Sequence, residues 1–208
     1  MTIMMTRPKQ ASYWRIQDLL KILPEPNRIN CIKILEDNLA LLVRAQGSSH
    51  NHQAWPGGYI DHITEVMNIA IVLYKALDPN RPLPFALGQA LLVLFLHDVE
   101  KPWAYYINGN GSLAHNPELV LKPNRRIFRE RKLAEYGIVL TAEEKNAMFY
   151  IEGEGVDYSS DRRVMGELAA FCHMCDVWSA RGWWSYPREE ADFWIGAQRH
   201  QSKKEVNR

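Results

Sequence analysis

Four residues of this 208-residue chain, His62, His97, Asp98 and Asp176, carry polar groups on stretches that otherwise read as core. In "LLVLFLHDVEKPW" six apolar residues run directly into His97 and Asp98. Tyr59, His62, Val66, Ile69, Ala70 and Leu73 recur at helical i, i+3, i+4, i+7 spacing, so His62 is expected to point inward. Asp176 shares a helical stripe with Met165, Leu168, Ala169, Cys172 and Ala180, where an ionised, unpartnered carboxylate would cost several kcal/mol. Singly, each has an ordinary alternative: a satisfied core histidine for His62, and for Asp176 a buried cap or a partner of Arg162, Arg163 or Arg181. One divalent cation answers all of them together. Two neutral imidazoles and two carboxylates form a mixed nitrogen and oxygen set suited to Mn, Fe, Co, Ni, Zn or Mg.

Helices must deliver these groups, because helical periodicity dominates and no alternating strand of five or more residues stands out. The expected class is all-α, a helical bundle with the metal site in its core, as a single domain over 1–208. Packing helices are expected over 12–46: "SYWRIQDLLKIL", stopped by Pro24 and Pro26, then one helix through "NRINCIKILEDNLALLVRAQ" to Gly47. A core of about 49–181 follows. The turn-rich "SSHNHQAWPGG" leads into the His62 helix, and "FALGQALLVLFLHD" delivers His97 and Asp98 at its end, where departing backbone geometry lets both approach one ion. Residues 104–123 read as irregular, "RRIFRERKLAEYGI" and "TAEEKNAMFYI" as two helices, the second with a Thr141/Glu144 capping box. "SSDRRVMGELAAFCHMCDVWSAR" reads as one long helix capped by Ser159 or Ser160, and 187–199 as a last helix starting at Pro187.

With 25 basic against 24 acidic residues the formal charge is +1, so no global field draws the chain to long nucleic acid or an anionic membrane. Three cysteines, two of them in one apolar run, suit a reducing compartment better than a disulfide framework. "MTIMMTRPKQ" has no following apolar region of the signal-peptide kind, and no apolar run approaches the roughly 20 residues a spanning helix needs, so a cytoplasmic location is expected.

"HNHQAWPGGYIDHITEVMNIA", "LFLHDVEKPW" and "AAFCHMCDVWSAR" resemble the HD-domain superfamily of metal-dependent phosphohydrolases, with His62, His97, Asp98 and Asp176 on its H…HD…D pattern. The resemblance spans about 49–181. It implies an all-α fold, a bound divalent cation, and hydrolysis of a phosphoester or phosphoanhydride by metal-activated water, commonly in a nucleotide or oligonucleotide. No HH pair stands between the HD and the last Asp, so one metal is expected, with Glu152 or Glu154 as substitutes should a second bind. Lys101, three residues past Asp98, resembles the HDxxK subgroup rather than simple monophosphatases.

From that resemblance come further roles. Lys101 is placed to hold a phosphate oxygen, His52 to act as general acid, Glu154 to orient water, and Trp55 or Trp103 to stack on a base. Arg125 and Arg126, with Lys122, Arg129, Arg131 and Lys132, form a basic segment that is either a solvated helix face or a phosphate contact. "CHMC" is a lone CxxC inside a helix and reads as core packing. Trp178, Trp183, Trp184 and Trp194 are expected to anchor the last helix or a contact between copies of the chain. Hydrolysis of a nucleoside mono- or triphosphate is the first expectation. A phosphodiesterase or exonuclease on cyclic or short oligonucleotides is a second, and a non-catalytic nucleotide-sensing module a third.

Overall fold

The computed structural model describes residues 11–49, 51–109, 113–185, 192 and 194–200. Nine α-helices are described, α1 (Ile16–Leu20), α2 (Asn27–Asp37), α3 (Leu39–Leu42), α4 (Gly58–Leu77), α5 (Leu87–Leu96), α6 (Lys101–Ala104), α7 (Lys122–Glu135), α8 (Ala142–Tyr150) and α9 (Glu167–Val177). A π-helical turn, Trp178–Gly182, continues α9. The core forms where α4 packs on α5, and α9 packs on both and on α8. All seven residues from Ala90 to Leu96 on α5 are buried, as an almost wholly apolar helix requires. No helix among the described residues is long and apolar enough to cross a membrane.

The bundle is mostly helical, with a His/Asp cluster in its core. Four local expectations are corrected. The single helix expected up to Gly47 breaks at Asn38 (φ −114°, ψ 10°), whose Nδ2 donates to the Ile34 carbonyl and to the Tyr136 hydroxyl, both at 2.9 Å. A short amide side chain competing for the helix's own acceptors is the cause. Residues 104–123 are not wholly irregular: β1 (Tyr105–Ile107) pairs antiparallel with β2 (Leu113–His115), in strands too short to show alternation in sequence.

The long penultimate helix begins at Glu167, not near Ser160. Asn146 on α8 takes up its N-terminal approach, Nδ2 donating to the Val164 carbonyl (2.8 Å) and Oδ1 accepting from Gly166 N–H (2.8 Å). The helix expected over 187–199 falls partly outside the described residues, and within 194–200 the chain is irregular, turning at Gly196 with φ +84°. The Thr141/Glu144 capping box is present in both directions, at 3.2 and 2.8 Å.

Candidate metal centre

The loop before α4 explains why "PGG" precedes the histidine. Gly57 has φ +83°, a left-handed conformation that lets the chain swing into the helix. A Cβ on Gly58 would overlap the Gln53 carbonyl oxygen, so only glycine permits that close approach. Trp55 Nε1–H and the His200 backbone N–H both donate to the buried Asp61 carboxylate, at 2.8 and 2.9 Å, fixing the first turn. One turn on, His62 is fully buried. At the end of α5 His97 keeps helical geometry, its N–H bonded to the Val93 carbonyl, while Asp98 enters a turn. Asp176 lies in the last turn of α9.

These four groups converge. Asp176 Oδ1 lies 3.1 Å from His62 Nε2 and 3.6 Å from His97 Nε2, and Asp98 Oδ2 lies 3.1 Å from His97 Nε2 and 3.7 Å from His62 Nε2. Yet among the described residues both buried Nε2 atoms lack a hydrogen-bond partner, so the carboxylate oxygens stand beside the ring N–H directions rather than along them. Ligand atoms about 2.1 Å from one ion lie about 3.0 Å apart across an octahedral edge and about 3.4 Å across a tetrahedral one. The two 3.1 Å spacings match such edges, and those of 3.6 and 3.7 Å are slightly longer. His62, His97 and Asp176 form a buried group that could hold a metal ion, and Asp98 adjoins it.

The outer faces of the imidazoles are committed. His97 Nδ1 lies 2.8 Å from the Leu94 carbonyl, an acceptor only, so Nδ1 carries a proton there. His62 Nδ1 lies 3.1 Å from Ser179 Oγ, which donates to Glu65 Oε2 at 2.6 Å. Both arrangements leave Nε2 facing the cluster, as metal-ligating histidines require. Burial alone would raise the Asp98 and Asp176 carboxyls, but the neighbouring cations and imidazoles, His97 and Lys101 for Asp98 and His62 and His97 for Asp176, hold both well below the usual carboxylate range. Burial lowers His62 and opposes protonation of His97, but the Asp98 carboxylate above all carries His97 up to about 10. A proton thus takes the place of positive charge that the carboxylates demand.

Lys101 Nζ lies 2.5 Å from Asp98 Oδ2, with its side chain 15% exposed, and Asp176 is 18% exposed, so the cluster opens to solvent on the side of these two residues. His52 is half-buried, its ring 4.8 Å from that of His62. Its Nδ1 lies 2.7 Å from Gln53 Oε1, and burial, with His62 next, lowers it to about 4. Gln53 Oε1 only accepts, so the neutral ring donates Nδ1–H to it and keeps Nε2 as its acceptor.

The other candidates lie further out. Trp55 is spent on Asp61, and Trp103 packs on Phe128 with Lys132 over its ring at 4.9 Å. Arg125 donates to the Leu119 carbonyl, and Arg126 lies 3.9 Å over the Phe149 ring. Both line a cleft of about 640 Å³ with Lys122, Arg129, Glu100 and Glu154. Glu154 accepts from Met165 N–H at 3.3 Å, and Glu152 pairs with Lys122. Cys172 and Cys175 are buried free thiols that burial pushes up, which suits inert packing. Trp183 meets Trp178 and Trp194, so the late tryptophans tie the C-terminal segment to α9.

Sequence reasoning missed Gln53, Glu65, Ser179, and the buried pair in which Arg129 grips Glu100 with two bonds of 2.9 and 3.0 Å. Glu65 and Ser179 had one available signal: each follows a candidate ligand by three residues, on the same helical face. Gln53 had none, although its φ of +39° marks a strained position in the fold. No family model matches the chain, and neither a curated protein nor a solved structure matches it.

Proposed function

We propose that this chain is a metal-dependent phosphohydrolase of the HD-domain type, acting on a phosphoester or phosphoanhydride of a nucleotide. The observation that carries the reading is the pair of buried, unpartnered Nε2 atoms converging with two carboxylates beside a lysine. A divalent cation held by His62, His97, Asp176 and Asp98 would acidify a water molecule and offset phosphoryl charge. Lys101, held cationic by Asp98 against its burial, is the group to grip a phosphate oxygen at the open side of the cluster. His52, neutral, donates Nδ1–H to Gln53 Oε1 and lines the wall beside His62. The cleft that begins at Glu100, two residues past Asp98, is lined by both acidic and basic side chains, among which Arg125 and Arg126 are the groups to meet further phosphates.

A second reading, cleavage of a phosphodiester in a short oligonucleotide, is favoured by one feature of that cleft. It pairs the exposed Phe149 ring with the Arg126 guanidinium, and aromatic faces beside basic groups suit stacked bases and a phosphate chain. A panel of nucleoside mono- and triphosphates, cyclic nucleotides and short oligonucleotides, incubated with Mn, Co, Ni, Zn or Mg, tests both. Release of phosphate or of polyphosphate supports the first reading and internucleotide cleavage the second. Turnover unchanged by Asp98→Asn would place any activity elsewhere, and no turnover with a saturated site would leave the chain a binding module.

A further inference from the structure

Residues 194–200 form no regular element, yet they contain one of the most fully engaged side chains among the described residues. Arg199, its side chain only 5% exposed, donates to Glu65 Oε1 (2.7 Å), Asp192 Oδ2 (2.7 Å) and the Tyr13 hydroxyl (3.2 Å), and its guanidinium lies 4.9 Å from the Tyr13 ring centre. Burying a guanidinium is costly unless its donors are matched, and an apolar residue could pin a chain end at lower cost. The acceptor it reaches is informative. Glu65, also buried, uses its other oxygen, Oε2, to accept from Ser179 Oγ at 2.6 Å and from Gln53 Nε2 at 3.1 Å.

Hydrogen-bond direction then propagates inward. Ser179 has one hydroxyl proton, and while Glu65 takes it, Ser179 can only accept at its 3.1 Å contact with His62 Nδ1. His62 must therefore carry its ring proton on Nδ1 and present the Nε2 lone pair to the cluster. A Glu65 that lost its countercharge could carry a proton itself and let Ser179 donate, which would place the His62 proton on Nε2 and block ligation. Burial does push the Glu65 carboxyl up, and Arg199 is the strongest influence holding it down.

We propose that Arg199, 134 residues beyond Glu65, is a positioning residue for the metal centre. Through Glu65 and Ser179 it fixes His62 in the ligating tautomer, so the docked C-terminal segment completes the site. The inference rests on the metal-site reading above, and two measurements on the full chain separate their failures. In the metal-free protein, ¹⁵N shifts of His62 are expected to show Nδ1 protonated in wild type and a shift toward protonated Nε2 in Arg199→Met. An unchanged tautomer overturns the proposal whatever the fate of the metal.

In Co²⁺ titrations Arg199→Met and Ser179→Ala are each expected to weaken binding by about 10–100-fold, the usual cost of losing an outer hydrogen-bond partner of a ligand. The double variant is expected to be no weaker than the worse single one, because both act through one relay. Arg199→Lys, which keeps the charge at Glu65, is expected to recover part of the affinity, and it carries the test if Arg199→Met does not fold. Wild-type affinity in Arg199→Met, or full additivity with Ser179→Ala, shows a mere anchor and overturns the relay. Absence of Co²⁺ binding by wild type removes the metal reading and the proposal with it.

Discussion

At the scale of single residues, the cluster shows what burial does to histidines with different neighbours. His97 faces the Asp98 carboxylate closely and is carried up to about 10, whereas His52, shielded from solvent and bonded to a neutral amide, is lowered to about 4. The His52 shift has a stability consequence whose sign is fixed. Its folded value lies below the 6.5 of an unfolded chain, so the unfolded state binds more protons as pH falls. The contribution is complete above pH 6.5 and is lost as pH falls toward 4. Denaturant titrations of metal-free protein should show an extra loss of up to about 1.4 kcal/mol per pH unit in that window, reduced by the partial exposure of the ring. His52→Gln should flatten this slope, and an equal slope in both proteins would show that His52 does not supply it.

Elements place these residues through a few clamps that connect distant parts of the chain. Gly58 lets the start of α4 pass against the Gln53 carbonyl, while the Gln53 side chain reaches Glu65 and Ser179. Gly58→Ala must push that carbonyl away, with an expected cost of about 1–3 kcal/mol and a weaker metal affinity through the displaced amide. Calorimetric titration with Mn²⁺ beside a denaturant melt checks both effects. Asn146 performs a similar service for α9, satisfying the Val164 carbonyl and Gly166 N–H just before the helix that carries Asp176. Asn146→Ala leaves both backbone groups without that partner, and a loss of about 1–3 kcal/mol in chemical denaturation is expected. The elements were partly legible in sequence: α4, α5 and α8 follow from apolar spacing and a capping box. The start of α9 did not, because Asn146 and Gly166 are 20 residues apart and their bond leaves no periodic trace.

For the whole molecule, the cluster concentrates unmet polar demand at the meeting of α4, α5 and α9. Two imidazole lone pairs and two ionised carboxylates in a buried site oppose folding unless a cation or protons satisfy them. A ligand that binds only the folded state stabilises it by mass action, by about 2.7 kcal/mol at a hundredfold excess over its dissociation constant. Thermal melts should therefore rise when Mn²⁺ or Co²⁺ replaces EDTA, and His97→Ala should abolish the rise. A melt indifferent to every divalent ion tested would oppose the metal reading directly.

The sequence by itself determined which residues were candidates, because polar groups at core positions of apolar helices are conspicuous in any chain. It determined the bundle class for the same reason: helical spacing is a local property. Only the tertiary structure decided that the His62 and His97 Nε2 atoms face the same point, that Lys101 stands at Asp98 while Glu154 turns to Met165, and that Glu65, Ser179 and Arg199 stand behind His62. Hydrogen bonds across more than a hundred residues carry no signature in spacing. The directions of lone pairs exist only once each ring is packed and its other nitrogen has found a partner.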